Sequence, residues 1–125
     1  MNERLAILVW AADPDSPQLC ATPFHFAAAA AAMDAEVEMY FTARSVRLLL
    51  PGVAETLHPG GHEAPPLSHF LLEAVRYGTR LYACPSAMQA HGVKPENLRA
   101  EVCGQAGAAA FIGRTLDPAW RTLTF

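Results

Sequence analysis

Positive charge is scarce in this chain: nine lysines and arginines face twelve aspartates and glutamates, for a net charge of −3. That balance argues against a nucleic-acid binder, which usually presents a basic face. Long apolar runs are missing too. The most apolar stretches, residues 5–12 and 24–33, fall well short of the roughly 18 residues of a membrane-spanning helix, and His25 interrupts the second. No membrane segment is expected. The cysteines number three, an odd count without paired spacing, which fits free thiols in a reducing compartment better than a disulfide framework. The opening residues Met-Asn-Glu-Arg lack the positive start, long apolar core and small-residue cleavage site of a secretory leader, so a cytoplasmic protein is expected.

Cofactor signatures are equally sparse. Gly60 and Gly61 follow no strand, and neither G-x-G-x-x-G nor G-K-[ST] occurs. The loop ADPDSPQ, residues 12–18, lacks the hydroxyl-rich phosphate grip of a flavin site. His58, His62 and His69 match no compact zinc spacing, and no cysteine or carboxylate pattern completes a ligand set. Neither a metal nor another cofactor is expected.

What is present points to one α/β domain. A length of 125 residues suits a single core. The 52% hydrophobic and 17% charged content is more apolar than an average soluble domain. Part of that excess is the alanine run Ala27 to Ala32, which supports a helix but buries little area; subunit contact surface is a second source. The run LAILVW, residues 5–10, reads as a strand covered on both faces. A loop with two aspartates and two prolines leads to an alanine-rich helix over 18–33, then to a strand at VEMYF, 37–41. A short helix from Ser45 stops at Pro51-Gly52, and 58–66 is the longest unstructured stretch. Leu67, Phe70, Leu71, Ala74 and Val75 recur at helical spacing, with Ser68 as the expected cap. Strands are then predicted at 80–84, 101–103 and 120–125, with helices at 85–91, closed by Gly92, and 105–116. This alternation means a parallel sheet with helices on both faces. The expected architecture is a flavodoxin-like three-layer sandwich with a five-stranded, mainly parallel sheet over residues 1–125.

Within that architecture Cys84 stands out. Reactive groups in open parallel sheets gather beyond the carboxyl ends of the strands. Cys84 closes a strand and directly precedes Pro85, a residue favoured at the first position of a helix. The cysteine then takes the cap position, and the free amides near Ser86 and Ala87 are directed towards its sulfur. Those donors favour the thiolate, the nucleophilic form; the opposing reading is a buried thiol acting as a small hydrophobe. His91 is not its base, because seven residues of helix place it about 10 Å away.

Other residues frame the same edge. In a flavodoxin-like strand order the first and third strands are neighbours, so Cys20 is either a shielded helix residue or a resolving thiol that approaches Cys84. Cys103, after the fourth strand, is expected to be buried. Arg44 and Arg47 flank Ser45 at a helix start, a pattern suited to an anion or to a partner's carboxylate as well as to ordinary surface charge. Thr22 and His25, at the start of the first helix, are candidates to line the crevice. Asp13 and Asp15 read as turn residues.

Two blocks carry a family resemblance. ATPFHFAAAAAAMDAEVEMYFTARSVRLL, residues 21–49, and RLYACPSAMQAHGV, residues 80–93, together with the closing RTLTF, resemble the DsrE/DsrF-like family of small sulfur-relay proteins. The resemblance implies a flavodoxin-like fold, assembly as a homotrimer or homohexamer, and a persulfide on the cysteine ending the third strand, here Cys84. It also implies exchange of sulfur with a TusA-like or other carrier protein, or with a low-molecular-weight sulfane-sulfur donor. Some relatives have a second cysteine beside the first. Here the neighbours are Ala83 and Pro85, so a two-cysteine mechanism within this loop is not expected. The functional expectation is a sulfur carrier; the alternative is a non-catalytic structural or interaction subunit of an oligomer.

Overall fold

The computed structural model describes residues 3–125. The apolar run near the start forms strand β1, Arg4–Val9, and the other strands are β2 (Glu36–Phe41), β3 (Arg80–Ala83), β4 (Val102–Gln105) and β5 (Arg121–Thr124). Helices α1 (Ala21–Ala32), α2 (Val53–Thr56), α3 (Leu67–Arg76), α4 (Pro85–Ala90) and α5 (Ala108–Thr115) fill the connections. The five strands form one sheet in the order β4-β3-β2-β1-β5, and every pairing is parallel. This is the expected three-layer α/β sandwich.

The strand order differs from the flavodoxin order used above. β2 lies between β1 and β3, so the first and third strands are not neighbours, and the approach expected for Cys20 has no geometric basis. The order also decides which face each helix covers. A right-handed crossover places the helix on one side for a step in one direction and on the other side for the reverse step. The steps from β1 through β4 all run one way, so α1 to α4 cover one face. The return from β4 to β5 carries α5 across the other.

The two faces are built differently, as the two-residue strand period allows. Ile7, Val9, Val37, Met39, Phe41, Leu81 and Ala83 face the helix-rich side and join Phe24, Ala27, Leu67 and Leu71 in the main core. Ala6 and Tyr40 face α5 and form a smaller cluster with Phe111 and Trp120. That side also holds the buried carboxylate of Glu38, which accepts two hydrogen bonds from Arg114 of α5 at 2.9 and 3.1 Å and one from Tyr40 at 2.7 Å. The Arg114 guanidinium lies 4.0 Å from the Trp120 ring centroid. This ion pair on a buried carboxylate pins α5 to the sheet.

Local expectations shift at the element ends. The expected helix over 18–33 is a 3-10 turn, Pro17–Leu19, followed by α1. α1 ends on Asp34, whose φ of +67° fills the left-handed exit position that glycine usually takes. Ser68 does not cap α3. Pro66 holds that position and Ser68 is buried in the first turn, because the chain enters extended from Pro65-Pro66. Before α2 the chain runs through a 3-10 segment, Ala43–Leu49.

Candidate functional site

β3 carries its chain into α4 on one face, while the neighbouring β4 leads to α5 on the other. The connections therefore diverge between the carboxyl ends of β3 and β4, and the crevice opens there. Cys84 stands on one lip. It is extended (φ −71°, ψ 122°) and caps α4, with Pro85 in the first helical position. Its N–H donates to Phe41 O at 2.9 Å, and its carbonyl accepts from Met88 N–H at 2.9 Å, so the backbone on both sides of the sulfur is fixed. Gly92 at φ +67° ends the following turn, as read from the sequence. Gly107 forms the other lip. A Cβ there would stand 3.2 Å from Cys84 Sγ and 3.3 Å from Pro85 Cδ, so the lack of a side chain is what lets the β4–α5 loop pass the sulfur.

Cys84 is 7% exposed and borders a cavity of about 160 Å³ on the α5 side of the sheet. Leu8 of β1, Tyr40 and Phe41 of β2, and Phe111 and Ile112 of α5 line it, with Thr42 beside the sulfur. Burial by itself raises the thiol pKa, but the hydrogen bonds outweigh it. The Ser86 hydroxyl, the Ala87 N–H, the Thr42 hydroxyl and the Ser86 N–H hold the pKa below its ordinary value. Ser86 Oγ lies 3.3 Å from Sγ. With only six residues in α4, these local donors, rather than a long helix dipole, favour the thiolate.

The DsrE/DsrF-like family model matches residues 5–125. The chain belongs to that family. Among solved structures it is similar to the YchN protein of E. coli, with a TM-score of 0.76 at 14% identity over the whole of both chains. It is also similar to MTH1491 of Methanobacterium thermoautotrophicum, a protein of unknown function, with a TM-score of 0.68 at 16% identity over 99% of this chain and all of that one. At such identities the likeness is one of fold. No curated protein matches the sequence.

In this DsrE/DsrF-like chain the other residues singled out in the sequence fall into different places. Cys20 is fully buried and does not border the cavity. Its thiol is directed at Asp13 O (3.4 Å) and Ser16 O (3.5 Å). Burial pushes the pKa up to about 11, opposed by a backbone contact with Asp13 and reinforced by the Asp13 carboxylate. A thiol held in its protonated form by burial, and two strands away from Cys84, is not a resolving group; that expectation is corrected. Cys103 is exposed rather than buried, because β4 is an edge strand with its alternate positions open.

Arg44 pairs with Asp15 and lies 3.7 Å from Asp13, and Arg47 lies 3.6 Å from Asp15. The two aspartates therefore do more than form a turn: they neutralise the guanidinium groups read as an anion contact. Ser45 is wholly buried, its one proton shared between Val9 O and Thr42 O, both at 2.7 Å. It ties the ends of β1 and β2 together and leaves no hydroxyl for a ligand. Thr22 borders a separate shallow pocket with Gln18 and Phe125. His25 packs edge-on against Phe70 of α3, with ring centroids 4.6 Å apart. Neither borders the Cys84 cavity. His91 is exposed just past α4.

Thr42 and Gly107 are the functional residues that sequence reading missed. Each lies far from Cys84 along the chain. Thr42 follows β2, whose Phe41 pairs with Ala83. The next residue, Ala43, has φ +52°, a left-handed turn that carries the chain out of β2 directly after the Thr42 donor. The only sequence signal was Gly107 itself, a lone glycine before a helix.

Proposed function

We propose that this protein carries sulfane sulfur on Cys84 as a persulfide and passes it to a partner thiol. The observation that carries the reading is the setting of one sulfur atom: Ser86 Oγ lies 3.3 Å from it, its thiol pKa is held below the ordinary value, and it borders a cavity. The Cys84 thiolate attacks a sulfane sulfur, a new S–S bond forms, and the donor leaves with the electron pair of the bond that breaks. Unloading is the same step with an acceptor thiolate attacking the outer sulfur and Cys84 as the leaving group. A low thiol pKa serves both directions, since it raises the thiolate fraction for attack and makes Cys84 a better leaving group. Family membership supports a sulfur-relay role. A TusA-like or other small carrier is the partner this reading favours, in the cytoplasm and with the protein as a homotrimer or homohexamer.

A second reading, a scaffold subunit with an idle cysteine, is favoured by the burial of Cys84, which is 7% exposed; the exposed apolar side chains of Met33 (81%) and Leu116 (77%) suit contact surface under either reading. Peptide mass spectrometry after brief exposure to polysulfide or a small organic hydropersulfide separates the two, because it reads Cys84 apart from the exposed Cys103. A carrier gains one or more sulfur atoms on the Cys84 peptide, loses them to a reductant, and gains none on that peptide as Cys84→Ser. No adduct at Cys84, or one formed no faster than at Cys103, would leave the scaffold reading.

A further inference from the structure

The cavity beside Cys84 is unusual for a site that would receive a sulfur anion. Its volume of about 160 Å³ is close to the roughly 150 Å³ of an apolar cavity that accepts benzene. The side chains of Leu8, Tyr40, Phe111 and Ile112 supply its walls, and Phe41, whose ring lies in the core on the other face, borders it at the strand end. The hydroxyl of Tyr40 is committed to Glu38 at 2.7 Å. Among the described residues no lysine, arginine or histidine borders the cavity, and Arg44 and Arg47 are already paired with aspartates. An anion such as thiosulfate would lose hydration there, find no counter-charge, and approach a sulfur that is itself negative when reactive.

Building on the carrier reading, we propose that the donor to Cys84 is a hydropersulfide, R–S–S–H, of a small apolar thiol, whose substituent R is about the size of a benzyl group and fills this cavity. The Cys84 thiolate attacks the terminal sulfur of the donor. A bond forms between Sγ and that sulfur, and the R–S–S bond breaks. The electron pair leaves on R–S⁻, which takes a proton from water, and the transferred sulfur keeps its hydrogen, giving Cys84–S–S–H. Cys84 is oxidised to the persulfide as the donor is reduced to its thiol, so no other oxidant is needed. The terminal sulfur is an electrophile only while protonated, and surroundings of low polarity favour that neutral form over R–S–S⁻.

Benzyl hydropersulfide and 4-carboxybenzyl hydropersulfide share their sulfur chemistry and differ in the charge that must enter. Rates of sulfur gain at Cys84 are read by peptide mass spectrometry, apart from the exposed Cys103, and divided by each donor's rate with a small free thiol. The normalised rate is expected to favour the benzyl donor by about tenfold or more, the cost of desolvating a carboxylate without a partner. Ile112 borders the cavity and is 51% exposed, so Ile112→Lys places a cation at the mouth; it should bring the ratio to one or below. Equal normalised rates, or a preference untouched by Ile112→Lys, would overturn the proposal and leave the carrier reading standing. No sulfur gain from either donor or from inorganic polysulfide would remove both.

Discussion

Cys20 and Cys84 occupy matching places. Each is buried, each caps a helix that follows a sheet strand, and each lies on the carboxyl-end side of the sheet. Their thiols nevertheless shift in opposite directions. Burial raises both, more so for the fully enclosed Cys20, and the neighbours differ as well. Cys20 is closed off from water beside the Asp13 carboxylate, and both effects reward the protonated sulfur. Cys84 has the Ser86 hydroxyl 3.3 Å from its sulfur, and the polar groups of Ser86, Ala87 and Thr42 hold its thiol pKa down, which rewards the thiolate. A cysteine's place at a helix start therefore does not decide its reactivity; the depth of burial and the polar groups around it do.

The largest expected contrast is in alkylation. A thiol with a pKa of about 11 is ionised to about one part in 10⁴ at pH 7. Iodoacetamide labelling of the native protein, mapped by peptide mass, should mark Cys84 about a hundredfold or more faster than Cys20. Equal labelling of the two in the folded state would end the comparison. Stability in alkali tests the Cys20 side. Its thiol is protonated in both states below the unfolded value of about 9, while from there to about 11 only the unfolded chain ionises. Stability therefore falls through that window, by up to about 3 kcal/mol, and urea unfolding at pH 8 and pH 11 should show a smaller fall in Cys20→Ala. Cys84 has the opposite sign, because its lowered pKa adds stability above the unfolded value and loses it as pH falls through the folded one.

Smaller effects come from removing the donors one at a time. Ser86→Ala or Thr42→Val should move the pH profile of Cys84 alkylation upward and slow the reaction at pH 7 by about tenfold, the value of one hydrogen bond to a charged atom. Unchanged profiles in both variants would show that the backbone amides suffice. The smallest change expected is in Gly107→Ala. A methyl 3.2 Å from Sγ should slow labelling by about threefold, with a stability loss of about 1–3 kcal/mol, read by urea unfolding.

Much of this was legible in the sequence, and the limits have physical causes. Continuous apolar runs such as LAILV and the Cys-Pro boundary at 84–85 are local signals, and both the strands and the cysteine's place follow from them. Strand order is not local. It depends on which faces find partners, so the placement of β2 between β1 and β3 could not be read from the segments, and the expectation for Cys20 failed with it. The same holds for Arg44, Ser45 and Thr42. Their roles depend on what lies across the loop, namely Asp15 for the arginine, two carbonyls for the serine and Cys84 for the threonine.

The left-handed backbone at Ala43 has a consequence for which sequences this site tolerates. A β-branched side chain pays heavily at φ +52°, while glycine and asparagine take that conformation readily. In a library randomised at position 43 and sorted for folded protein, valine and isoleucine should be depleted and glycine and asparagine enriched. The cysteine's surroundings would thus leave a mark on permitted variation at a residue with little side chain of its own, forty-one positions before the sulfur.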